Sequence, residues 1–158
     1  MTTKTPEFTS LREKIAWEKQ ERIARYAAFA RIFSEAQYEG ALAANSTTPT
    51  TMIVGSPTTP LGNDIDPSKP IYVEPEGPCG FAWVTVRPGS SSFARWLVKE
   101  GHARPAYKGG VQIWIGGYGQ SYERKMAHAR AMADTLTRIL DAEGLGTGRR
   151  IYAGGRLD

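Results

Sequence analysis

Apolar and polar positions along this chain follow two different periods, and the change between them divides it. Residues 10–44 contain no proline, and Leu11, Ile15, Ile23, Tyr26, Ala27, Ala30 and Phe33 recur mostly at three- and four-residue steps, the spacing of one helix face. Ser10 stands three residues before Glu13, the arrangement of a capping box at a helix start. The pattern predicts one long helix over 1–44 whose stripe docks on the rest of the chain or on a second copy. Gly40 is expected to end or bend it.

Residues 45–79 lose both periods. The run is dense in Pro, Thr, Ser and Gly, a composition that predicts an extended linker, here with an apolar anchor at Met52, Ile53 and Val54.

From residue 80 onward the segments are short and sharply patterned. "GFAWVTVRP" alternates as a strand does, and "SSSFARWLVKEG" reads as a short helix with Phe93, Trp96 and Leu97 on one face and Gly101 as its stop. "ARPAYKGG" suits an edge strand and hairpin, where proline is tolerated, and "VQIWI" is a further strand. "SYERKMAHARAMADTLTRILDAEG" places Tyr122, Met126, Ala129, Ala133, Leu136 and Leu140 on one helical face before a last strand at "RRIYAGG". The order β-α-β-β-α-β over 80–158 is that of the ferredoxin-like split βαβ fold, an antiparallel sheet with both helices on one side. The expected organisation is α+β: an N-terminal helix (1–44), a Pro/Thr-rich linker (45–79) and a ferredoxin-like domain (80–158).

Strand alternation assigns the two faces of that sheet. Ala82, Val84, Val86, Val111, Ile113, Ile151 and Ala153 belong under the helices, so Phe81, Trp83, Thr85, Arg87, Gln112, Trp114, Arg150 and Tyr152 look away. Large aromatics on a sheet face without helices are covered either from within the protein or by something outside it. Trp17, Tyr26, Phe29 and Phe33 of the N-terminal helix are the internal candidates, and a homodimer through the same face is a variant. The external candidate is a single-stranded nucleic acid or nucleotide, with bases stacking on the aromatics and cations taking the phosphates. The aromatic positions in the two central strands resemble those of RNA-recognition-motif domains, although the usual strand sequences of that family are missing.

Charge supports a phosphate-bearing partner only for the second half of the chain. Residues 1–80 hold 8 Lys/Arg and 10 Asp/Glu, whereas 81–158 hold 12 and 6, so the formal net charge of +4 is unevenly placed. Such a bias steers anions without specifying one. A single cysteine, Cys79, excludes an intramolecular disulfide, and no Cys/His spacing suits zinc. No cofactor or metal is expected. The chain shows neither a long apolar run nor a signal-like start, which predicts a soluble intracellular protein without membrane contact.

A second candidate site is the turn "GGYGQSYERK" (116–125). Its glycines allow close approach of backbone, Gln120 or Ser121 can cap the following helix, and Arg124 and Lys125 lie in its first turns, so free amides there suit an anion. No P-loop or dinucleotide spacing occurs, and a tight strand-to-helix turn accounts for the same glycines. His128 lies among alanines as a solvated or internally satisfied helical residue, and Cys79 reads as a small buried residue with no histidine nearby to activate it. No catalytic residues are assigned.

Taken in order, "PCGFAWVTVRPGSSSFARWL", "YKGGVQIWI", "YGQSYERKMAHARAMA" and "YAGGRLD" resemble a widespread group of small bacteriophage-encoded proteins of unassigned function. The likeness spans 78–158, with "TTPTTMIV" (47–54) matching loosely. Lys108 stands where the group has a second tyrosine, and Gly155 where serine is usual. The resemblance carries Gln120, Ser121, Arg124, Lys125, Arg156 and Asp158 as shared polar positions and implies a viral protein at work in the host cytoplasm. The expectation that combines these signals is a phage accessory protein, more a binder than an enzyme. It would take nucleic acid or a nucleotide through Trp83, Arg87, Trp114, Gln120, Ser121, Arg124, Lys125, Tyr152 and Arg156. Two alternatives stand beside it. One is an interaction protein that dimerises or docks on a host protein through the N-terminal helix. The other is a small enzyme or sequestering protein for a nucleotide signal in anti-defence.

Overall fold

A computed structural model of the protein describes residues 5–146 and 148–158. Ser10 opens the first helix, α1 (Leu11–Ser46), by accepting a hydrogen bond from the Glu13 amide at 3.2 Å. The Glu13 carboxylate accepts in return from Thr9, through both its amide and its hydroxyl. The capping exchange predicted from the spacing is therefore made with Thr9 as the second partner.

A two-stranded antiparallel ribbon follows, β1 (Met52–Val54) with β2 (Tyr72–Glu74). The remaining elements are β3 (Gly80–Arg87), α2 (Ser92–Lys99), β4 (Arg104–Pro105), β5 (Val111–Trp114), α3 (Tyr122–Ala142) and β6 (Arg150–Leu157). The fold is α+β, with three helices among the described residues, the longest of them the first, and antiparallel sheets. In the main sheet the order is β4-β5-β3-β6, every neighbouring pair antiparallel.

Alternation along β3 decides the core. Ala82, Val84 and Val86 are fully buried, with Val111 and Ile113 of β5 beside them, and they pack beneath Phe93 and Leu97 of α2 and Met126, Ala129 and Leu136 of α3. The apolar faces expected for α2 and α3 are the ones observed. Beyond that face α3 also buries His128, Met132, Thr135 and Ile139, because α1 lies along it as a third layer outside the helix pair.

Three expectations are corrected. The docking stripe of α1 is only partly the one predicted: Phe33 is buried and Tyr26 packs half-buried against the core, but Leu11, Ile15 and Ile23 are exposed, and the stripe continues instead through Phe29, Ile32, Ala36, Gly40 and Ala44. At 1.5 Å per residue the 36-residue helix runs about 54 Å, so its first turns extend past the body they would have to contact. The segment 45–79 is not a plain linker, since it holds the β1–β2 ribbon, and its proposed anchor residues Ile53 and Val54 are exposed. It is tied down instead by polar contacts, with the Thr50 amide donating to Glu123 at 2.6 Å and Arg124 to Glu76 at 2.9 Å.

The third correction concerns Gly40, which does not end α1, since the helix continues to Ser46. A Cβ there would lie 2.5 Å from the His128 ring of α3, so the glycine permits the close crossing of the two helices. That ring cannot easily step aside. His128 Nδ1 is 2.9 Å from the Tyr118 hydroxyl and Nε2 is 3.0 Å from Gln37 Oε1, an arrangement that neutral imidazole satisfies with one acceptor and one donor nitrogen. Burial pushes the His128 pKa below its ordinary value, in keeping with that form. Gly40→Ala gains about 1 kcal/mol in helix propensity but forces an overpacking cost of roughly 1–3 kcal/mol. A net destabilisation is expected in urea unfolding, relieved when His128→Ala is added. Stabilisation by Gly40→Ala alone would show that the crossing is loose.

Candidate nucleic-acid interface

The face of the sheet turned away from the helices is built by the same alternation that buries the core. Pairing of β3 with β5 sets Trp83 directly opposite Trp114 and Thr85 opposite Gln112; pairing with β6 sets Phe81 opposite Arg156, Trp83 opposite Gly154 and Thr85 opposite Tyr152. Side chains directly opposite on an antiparallel pair share a face, so three strands contribute to one aromatic surface.

The rings form a connected platform. Trp83 and Trp114 lie 5.1 Å apart between centroids at 35°, and Phe81 meets Trp114 at 6.1 Å in an edge-on arrangement, both within the range of favourable aromatic pairs. Gly154 makes room for Trp83 on the β6 side, since a Cβ at 154 would stand 2.8 Å from the indole Nε1. Thr85 is buried as the floor of the surface, while Trp114 and Tyr152 remain 38% and 39% exposed. Helix α1 covers none of this. Its Phe29 and Phe33 pack on Phe93 and Trp96 of α2, so the internal cover expected for the aromatic face lies on the opposite side of the molecule.

Cations rim the platform. The Arg104 guanidinium carbon sits 4.8 Å from the Trp114 centroid, that of Arg156 5.4 Å from Phe81, and that of Arg87 6.0 Å from Tyr152. Among the described residues Arg104 and Arg156 form no ion pair, and the strand positions on this face hold no Asp or Glu. Beside Trp83 the sheet and the 106–109 turn enclose a cleft of about 600 Å³, with Arg87, Gln112, Tyr152 and Arg156 on its walls and Tyr107 fully exposed at its rim. The arrangement can stack planar groups and neutralise anions. Among the described residues no group of three His, Cys, Asp or Glu is placed to hold a metal ion.

Of the nine residues singled out from the sequence, Trp83, Arg87, Trp114, Tyr152 and Arg156 come together here. The other four lie in the 116–125 turn, where the side chains of Ser121, Arg124 and Lys125 and the backbone of Gln120 do structural work, while Gln120 itself is exposed. Ser121 is fully buried and caps α3 by accepting from the Arg124 amide at 3.4 Å. The Gln120 carbonyl accepts from the Gly80 amide. Arg124 is spent on Glu76 and on the Ala44 carbonyl, and buried Lys125 donates to the Gly80 carbonyl at 2.9 Å. The anion site expected at this turn is thus occupied by the protein's own acceptors, and the turn serves to lock residues 78–80 to the start of α3. Lys125 alone reaches toward the platform, its Nζ 5.6 Å from the Phe81 centroid.

Sequence reasoning left out Phe81, Arg104 and Gln112 as site residues. Phe81 and Gln112 were visible in the alternation; Arg104 was not, because the two-residue strand β4 has no period, and only its register opposite Gln112 places it on this face. Comparison with protein-family models, curated proteins and solved structures finds no match to the chain. Among the described residues no helix is long and apolar enough to cross a membrane.

Proposed function

We propose that the protein is a non-enzymatic binder of single-stranded nucleic acid, with bases stacking on Trp83, Trp114 and Phe81 and the backbone following Arg104, Arg87 and Arg156. The observation that carries this is an uncovered face on which adjacent aromatics from the two central strands are rimmed by arginines that form no ion pair among the described residues, with no acid at its strand positions. Bases stack on such platforms at about 1–3 kcal/mol each whatever their sequence. We further propose that the β3–β6 unit is a ferredoxin-like domain, supported by the order β4-β5-β3-β6 with α2 and α3 on one side. The resemblance of residues 78–158 to phage-encoded proteins supports a role as a phage accessory protein in the host cytoplasm.

A second reading, an interaction protein that dimerises or docks on a host protein, draws on the exposed apolar residues of the first turns of α1 and of the β1–β2 ribbon. The nucleotide-specific enzyme is the least supported, because the turn that would have held its phosphate is internally satisfied.

Titration of intrinsic fluorescence with a mixed-sequence single-stranded oligonucleotide tests the proposal. Trp83 and Trp114 are expected to be quenched while buried Trp96 is silent. With about two or three phosphates neutralised, affinity should fall roughly tenfold between 50 and 200 mM salt. A flat response at low salt, or quenching by a mononucleotide equal to that by the strand, would overturn it.

A further inference from the structure

The sheet register creates an arrangement of charge that the aromatic platform does not explain. Arg87 and Arg150 stand directly opposite one another on β3 and β6, and like charges in directly opposed positions repel. Neither has a carboxylate partner among the described residues. The Arg87 guanidinium is undersupplied as well: Nη2 donates to the Lys108 carbonyl at 2.8 Å, while Nε is covered from solvent and has no acceptor. Buried donors without acceptors are rare in folded proteins.

Between these arginines lies a second cleft, of about 290 Å³, whose walls are Arg87, Arg150 and the backbone of glycines 89, 109, 110 and 148, with Pro88 completing them and no acidic residue among them. The glycine wall is required at one point. Gly110 has a φ of +80°, and a Cβ there would lie 2.7 Å from both the Arg87 Cγ and the Val86 carbonyl. Two arginines lining a cleft whose other walls are glycine backbone and one proline make a place where an oxyanion can approach the backbone with cations on either side.

We infer that this cleft is a phosphate-monoester site that binds the terminal phosphate of a single strand lying on the aromatic platform. The inference rests on the proposed nucleic-acid function for its ligand, while the cleft itself is distinct from the platform. Arg87 lines both clefts, so a phosphate held in one is adjacent to a base held in the other. A monoester carries close to two negative charges at neutral pH, against one for an internal phosphodiester, and so offsets both arginines. That difference in charge selects strand ends over strand interiors.

The test uses the full-length protein and one oligonucleotide sequence prepared with a 5′-phosphate, with a 3′-phosphate, or with hydroxyls at both ends. One of the phosphorylated forms is expected to bind about tenfold tighter than the hydroxyl form, the gain of a charge-assisted bidentate contact. Arg150→Gln should bind all three forms alike. Inorganic phosphate should compete away the gain and nothing more, and the gain should shrink below about pH 6 as the monoester takes up a proton. Equal binding of the three forms, with the tryptophans still quenched, overturns this inference and leaves the platform standing. Binding of inorganic phosphate that depends on Arg150, with no oligonucleotide bound at all, keeps the anion site but overturns the nucleic-acid function and the strand-end assignment together.

Discussion

Phe29→Ala is expected to cost the whole fold about 3–5 kcal/mol, the usual loss for truncating a fully buried phenylalanine. The Phe29 ring is fully buried, 5.2 Å from Phe93 and 5.9 Å from Trp96 between centroids, with the Arg149 guanidinium carbon 5.9 Å away on a further side. Removing it leaves a cavity where α1, α2 and the start of β6 meet, and also strips cover from Arg149, whose pKa is held down mainly by burial. The melting temperature should drop by roughly 10 °C for a chain of this size. Ile15→Ala and Ile23→Ala serve as controls on the same helix, because those side chains are 56% and 51% exposed and should cost no more than about 0.5 kcal/mol each. A Phe29→Ala protein that melts like the parent would mean that α1 is an appended helix and not a layer of the core.

The double substitution Trp83→Ala/Trp114→Ala should do the reverse, removing binding while keeping the fold. Losing two stacking surfaces at about 1–3 kcal/mol each weakens single-strand affinity by roughly 2–6 kcal/mol, at least thirtyfold. Both rings are only partly buried, so their removal should cost about 1 kcal/mol of stability each, and far-UV circular dichroism with cooperative urea unfolding should persist. Gel-shift or anisotropy titration reads the affinity. Retained affinity would place the nucleic acid elsewhere on the surface, and collapse of the fold would mean that the two rings act as a core. Gly154→Val offers a milder version, since its side chain would push the Trp83 indole off β6 without deleting a ring.

The two outcomes rest on different kinds of information in the chain. Residues 80–157 follow the predicted succession of strands and helices, and the strand faces are legible because a period of two leaves each side chain only one alternative. Val84 and Trp83 could not share a face whatever the rest of the chain did. The opposition of Trp83 and Trp114 followed from the same rule once β3 and β5 were neighbours. Capping was legible too, with Ser10 read at the start of α1 and Ser121 as one of two candidates with Gln120 at α3, since a cap is a contact within three residues.

The docking of α1 was not legible. A helix nearly hydrophobic on no single side offers several stripes, and the one used, Phe29 through Ala44, is chosen by where α3 lies and by the gap that Gly40 leaves for His128. Arg124 and Lys125 looked like free cations because their acceptors, Glu76 and the carbonyls of Ala44 and Gly80, are 45 to 80 positions away in the chain. Arg87 and Arg150, by contrast, were both legible as residues of the open face, but their direct opposition was decided by the register.

What the sequence determined by itself was local: element types, their order, their caps and the two faces of each strand, all set by contacts and periods within a few residues. Which face stays open, which cations are already satisfied and which are left facing one another depend on pairings between distant segments. Those pairings are decided by packing and register, and only the tertiary structure contains them.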